Sequence, residues 1–218
     1  IFALGRALWG RAAAAFGVTM RLRSSNSQVL LMSPNPTTAG TEFIDVVVPN
    51  GSTDVTYYVQ GLEGREGGVT ITASAPGFTD ATATANVYQP WMELVSVPGS
   101  TTSLSANTPF FVRIGVVLPG GTFFWAHQAV RAGGTAVPVT VTHTNPAVAQ
   151  LVTTAGAGQT RALTIQPGQS NSPTTVESGG VAFEPIAAGT TLVSASAPGV
   201  NVLQTEQVTV TAPAITLF

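Results

Sequence analysis

One pentapeptide occurs twice in this chain. Ala73-Ser-Ala-Pro-Gly77 returns as Ala195-Ser-Ala-Pro-Gly199, displaced by 122 positions, and residues 68–78 and 190–200 match along their length. Three further anchors keep the same order. Val18-Thr-Met20 corresponds to Val139-Thr-Val141 at an offset of 121, Ser25-Asn26 to Thr144-Asn145 at 119, and residues 89–94 to 212–217 at 123. Ordered matches whose offsets drift by a few residues mark a duplication with small loop changes. Whatever the unit is, this chain must fold it twice.

The unit reads as β-structure. Residues 43–48, 55–59, 69–73 and 81–87 alternate apolar with polar side chains or run β-branched, and turn clusters at 34–36, 49–51, 61–68 and 75–77 separate them. The second copy predicts strands at 110–118, 122–125, 137–141, 162–165, 181–183, 192–195 and 208–210. Turn signals every eight to twelve residues are the spacing of an antiparallel sandwich. The expected fold is all-β, two Ig-like antiparallel β-sandwiches in tandem over 1–89 and 90–212, with 213–218 opening a further repeat or a linker. Aligned backwards, the first copy lacks a counterpart of residues 91–121, so it is expected to be incomplete on its N-terminal side, as in a fragment or processed chain. Residues 1–16, with two Arg and an alanine run, fit a strand, a helix or a processed segment.

In Val69-Thr-Ile-Thr-Ala73 one face is apolar and the other hydroxylated, and Pro76-Gly77 ends pairing and turns the chain. Composition explains how such strands stay solvated. Only 8% of residues are charged, about a third of the usual quarter, while about thirty Thr carry hydroxyls on outward positions. All eight basic residues are Arg and there is no Cys. Disulfides, thiolate metal sites and cysteine nucleophiles are excluded, as are lysine Schiff bases and isopeptide crosslinks. A net charge of −2 with scattered Arg offers nothing to nucleic acid, and no apolar run reaches the length of a membrane span.

The residues from Ser33-Pro34 through Pro49-Asn-Gly-Ser-Thr-Asp-Val-Thr-Tyr-Tyr-Val59 to Val69-Thr-Ile-Thr-Ala-Ser-Ala-Pro-Gly-Phe78 resemble bacterial Ig-like repeats of the invasin and intimin type. The resemblance covers 17–89 and, more loosely, 138–212. It implies a segment of a large extracellular surface protein, used in adhesion, spacing or assembly. The stretch 91–137 makes the second copy larger than a minimal module of that kind.

Chemical candidates are few. The two histidines, His127 and His143, lie in predicted strand segments and read as structural rather than as members of a hydrolase triad. Glu63, Arg65 and Glu66 make 61–68 the most charged spot in the chain, and its glycines read as those of an exposed hairpin loop. There is no acidic calcium loop, and no cofactor or metal is expected. Leu118-Pro-Gly-Gly-Thr122 has the wrong spacing for a cell-wall sorting signal, and Asn50-Gly-Ser52 is an acceptor pattern for glycosylation in a turn. The aromatic set is more pointed. Trp91, Phe110, Phe111, Phe123, Phe124 and Trp125 crowd into the enlarged part of copy two. Adjacent residues on a strand face opposite ways, so one member of each Phe pair must face outward if both stretches are regular strands. These six residues are the candidate interface, toward neighbouring copies or repeats of the same protein, or toward surface polysaccharide in a binding or spacer module of a secreted enzyme. The expected role is non-enzymatic: a stalk, adhesin or self-assembling fibre outside the cell.

Overall fold

Alternation with a period of two is what a half-buried strand requires, and Val18–Ser24 obeys it residue by residue: Met20, Leu22 and Ser24 are buried while Thr19, Arg21 and Arg23 are exposed. This segment is β2 in the computed structural model, which describes the backbone of residues 2–8 and all of 17–215. The described residues are all-β. The chain divides into two compact units, one comprising residues to Gln89 together with Gln128–Thr135, the other Pro90–His127 and the remainder from Ala136.

The first unit contains β1 (Phe2–Leu8), β2, β3 (Leu30–Ser33), β4 (Phe43–Val48), β5 (Asp54–Gly61), β6 (Gly67–Ser74) and β7 (Ala81–Val87). They form two antiparallel sheets, β1-β5-β3 and β4-β2-β6-β7. The inward side chains of both sheets meet in one cluster: Met20, Leu22, Ile44, Val69 and Ile71 from one, Leu30, Met32, Val55, Tyr57 and Val59 from the other. Two packed sheets sharing one apolar cluster make a β-sandwich.

The second unit contains β8 (Trp91–Val95), β9 (Ser100–Thr102), β10 (Thr108–Val116), β11 (Ala126–His127), β12 (Val137–His143), β13 (Ala149–Thr153), β14 (Gly156–Gly158), β15 (Thr160–Ile165), β16 (Val181–Pro185), β17 (Gly189–Ser196), β18 (Asn201–Val202) and β19 (Glu206–Thr211). One sheet runs β14-β13-β16-β10-β8-β18, with β11 against β10, and the other runs β15-β12-β17-β19-β9. Within them, β10-β16-β13 and β15-β12-β17-β19 repeat the neighbour order of β1-β5-β3 and β4-β2-β6-β7. Two short ladders, β18 with β8 and β9 with β19, are parallel, a departure from the all-antiparallel expectation.

Local bonds repeat as well. The amide of Ser25 donates to Thr70 O and the amide of Thr70 to Ser25 Oγ; Thr144 and Leu192 exchange the same pair. Asn26 Oδ1 accepts from the amide of Gln28, as Asn145 Oδ1 does from Ala147, so each unit turns on the same side-chain mimic of a backbone turn. Gly77 at φ +80° and Gly199 at φ +69° close the turn after each Ala-Ser-Ala-Pro, a conformation that side chains resist.

The offset of 121 needs correction. Arg21 lies opposite Ser74 and Thr140 opposite Ser196, which sets Val18 against Val137 at an offset of 119. A shift of two residues preserves which face each side chain takes, so sequence matching cannot detect it. The loop over 61–68 also differs from expectation. It is not a hairpin, because β5 and β6 belong to different sheets and the loop carries the chain between them. Residues 122–125 form bends rather than a strand, following a turn at Gly120 with φ +78°. Strands β3, β8 and β13, four or five residues each, are too short to announce themselves by alternation. Of the C-terminal match, 212–215 carry no strand and 216–218 lie outside the described residues, as do 9–16.

A candidate binding face in the second unit

The face is built by two alternating strands in fixed register. Inward, Met92, Leu94, Val112 and Ile114 are buried at 0–6% exposure. The intervening residues point the other way, and the ladder sets Trp91 opposite Gly115, Glu93 opposite Arg113 and Val95 opposite Phe111. On the far side of β10, Gly115 also pairs with His127, and Arg113 bridges to Asn171. The sheet therefore lays out one row of Trp91, Gly115 and His127 and a second of Glu93, Arg113 and Asn171.

Arg113 is the hub. Its Nε donates to Asn171 Oδ1 at 3.2 Å, and its Nη1 lies 3.4 Å from both Glu93 Oε1 and His127 Nε2. The guanidinium carbon sits 5.2 Å from the centroid of Phe111, within cation–π range. Glycine at 115 makes room for an aromatic ring: a Cβ there would lie 3.0 Å from Phe124 Cδ2 and 2.6 Å from Ala126 O. Phe124 stands edge-on to His127, centroids 5.9 Å apart and planes at 76°. Its chain neighbours Phe123 and Trp125 are 72% and 66% exposed. Flat apolar rings beside a guanidinium and a carboxylate can stack on a planar or ring-shaped partner and hydrogen-bond its rim.

The six sequence candidates divide. Trp91, Phe111 and Phe124 are half-buried on this face, and Phe123 and Trp125 are exposed. Phe110 is 0% exposed and belongs to the core, so it is not part of the face. Sequence reading missed Glu93, Arg113 and Asn171. The last is 58 residues from Arg113 and unreachable by spacing. The first two did carry a signal, because charges are rare in this chain and both sit mid-strand at outward positions.

The remaining candidates lie elsewhere. His143 is an interior residue, 1% exposed, with Nδ1 3.4 Å from Thr191 Oγ1 and Nε2 without a partner among the described residues. Burial pushes its pKa down, only partly opposed by a backbone hydrogen bond at Asn145. Glu63 pairs with Arg131 at 2.9 Å rather than with Arg65. Burial alone raises the Glu63 carboxyl, but the hydrogen bond and charge of Arg131, with its own backbone amide, outweigh that and hold it below the usual range. Among the described residues no three His, Asp or Glu side chains gather as metal ligands do.

No protein-family model and no curated protein matches the chain. Among solved structures it is similar to the C-terminal domain of the Streptococcus agalactiae AgI/II polypeptide BspA, at 12% identity and TM-score 0.27 over 95% of this chain and 84% of that one. It is similar as well to the C-terminal domain of the Streptococcus pyogenes antigen I/II-family protein AspA, at 8% identity and TM-score 0.24 over 95% and 91% of the two chains. At such scores the likeness carries neither fold nor role over to this chain.

Proposed function

We propose that this chain is a shape-bearing, non-catalytic segment of an extracellular bacterial surface protein, one sandwich unit built twice, which meets neighbouring copies through the Arg113–aromatic face. The observation that supports this most is the repeated neighbour order of seven strands in the two units, joined to an outward face whose side chains suit packing rather than proton transfer. Low charge leaves little repulsion between copies. Light scattering across concentrations tests the assembly: mass rises with concentration in the parent and not in Trp125→Ala, whereas a monodisperse monomer throughout overturns it. Antibody labelling of intact source cells tests the location, and signal confined to lysed cells rejects it.

A second reading has its own support. Phe123 and Trp125, in the loop that leads into β11, expose aromatic rings of the kind that stack on sugar rings. Retention on insoluble polysaccharide, lost in Trp91→Ala and Trp125→Ala, favours a carbohydrate-binding module of a secreted enzyme over self-assembly.

A further inference from the structure

One connection is far longer in the second unit than in the first. By neighbour order, β15 and β16 take the places of β4 and β5. Residues 49–53 suffice to join β4 to β5, whereas β15 and β16 are joined by residues 166–180. The extra length is not slack. The amide of Ile114 donates to Ser170 O and that of Ser172 to Val112 O, both at 2.8 Å, which holds residues 170–172 against β10. Ser172 is 2% exposed, and its Oγ accepts the Val112 amide at 3.0 Å. Farther along, Ser178 Oγ donates to Thr175 O at 2.9 Å, and the Gly180 amide donates to the same oxygen at 2.8 Å. Long ordered connections without a strand of their own are usually functional.

This connection walls a cleft of about 360 Å³. Gln166-Pro-Gly-Gln169 opens it with a tight turn, in which the Gln169 amide donates to Gln166 O at 3.0 Å and Gly168 takes φ +84°. The first and last residues of such a turn stand close together, and both glutamines line the cleft. Thr164, near the end of β15, joins them with Asn171 and Thr174 from the connection, and none of the described lining residues is charged. Among the described residues, the side chains of Thr164, Gln166, Gln169 and Thr174 have no hydrogen-bond partner. Asn171 Oδ1 is taken by Arg113 Nε at 3.2 Å, which leaves its Nδ2 to donate elsewhere.

We propose that this cleft binds a neutral sugar. A side-chain amide offers donor and acceptor side by side, as neighbouring sugar hydroxyls do, and a threonine hydroxyl offers both at one atom. No ionised group lines the cleft to select phosphate, carboxylate or ammonium. Pro173 alone of the described lining residues is apolar, so an apolar ligand gains little there. The volume falls at the small end of ligand sites, the scale of one or two sugar rings. The described walls all come from residues 164–178, so the site is formed within the second unit. The inference rests on neither reading of the aromatic face.

Titration of the full, isotope-labelled chain with cellobiose, maltose and diacetylchitobiose, followed by NMR, tests this. The side-chain amide signals of Gln166, Gln169 and Asn171 are expected to move and saturate with at least one of these sugars. They are expected to stay in place with glucuronate and glucosamine, which carry charge. Gln166→Ala combined with Gln169→Ala alters two exposed side chains, so the fold is retained while affinity is expected to fall about tenfold. Trp125→Ala is expected to leave the titration unchanged, which separates the cleft from the aromatic face. Absence of a saturating shift with all three sugars overturns the proposal, as does an equal response to the charged ones. Binding lost in Trp125→Ala but kept in the glutamine variant overturns it too, and would assign the sugar to the aromatic face.

Discussion

His143 and Ser24 hold equivalent places, the last inward positions of β12 and β2, at 1% and 2% exposure. The hydroxyl of Ser24 accepts from the Asn26 amide, whereas the larger imidazole leaves Nε2 unpaired. Because burial lowers the folded-state pKa of His143, the unfolded chain takes up this proton first as pH falls. The resulting stability is complete above the unfolded value of about 6.5 and is lost on acidification until the folded pKa is reached. Denaturant midpoints measured from pH 7.5 to 5 are expected to fall in the parent and to stay level in His143→Gln. The Glu63–Arg131 pair acts in a separate, lower window, since its depressed carboxyl loses its contribution only as pH drops through the folded value. Gln60 is a buried polar residue of the first unit with a different task. It is fully buried, accepts the Gly40 amide at 2.9 Å and donates to Thr38 O at 2.8 Å, which pins the loop before β4. Gln60→Leu leaves both loop groups unpaired, with an expected loss of about 1–3 kcal/mol read from the denaturant midpoint at constant slope. Neither role was readable from sequence, because both depend on partners 20 or more positions away in the chain.

At the scale of elements, alternation did most of the predictive work. The segments 43–48 and 81–87 coincide with β4 and β7, and the predicted strands at 69–73 and 192–195 lie inside β6 and β17. Adjacent Phe110 and Phe111 supply the sharpest test of that periodicity. Phe110→Ala empties a fully buried site and is expected to cost about 3–5 kcal/mol, while Phe111→Ala, on the outer face, is expected to cost about 1 kcal/mol or less. Chemical denaturation of the two variants measures both; similar losses would contradict the assigned strand register. The same reasoning fails at Phe123 and Phe124, where the backbone leaves the strand and period two no longer applies. It fails again over 61–68, where glycines serve a passage between sheets and local sequence cannot distinguish that from a hairpin.

For the molecule as a whole, each unit encloses its own apolar cluster, and the two are expected to report separately on unfolding. Leu22 is 1% exposed in the first unit's cluster. Leu22→Ala is expected to weaken amide protection across β2 and β6 by about 2–5 kcal/mol while leaving that of β12 and β17 unchanged, by native-state hydrogen exchange. Loss of protection in both would mean that the units unfold as one. The amino-acid sequence by itself determined the class of secondary structure and the exclusion of thiol and lysine chemistry. These follow from residue type and from periodicities that a chain carries whatever its partners are. Tertiary structure alone decided which strands became neighbours, that Arg113 gathers Glu93, His127 and Asn171, and that β9 covers β19. Pairing across a sheet joins residues far apart in the chain, and a two-residue slip leaves the local pattern unchanged, so only the folded backbone selects among such arrangements.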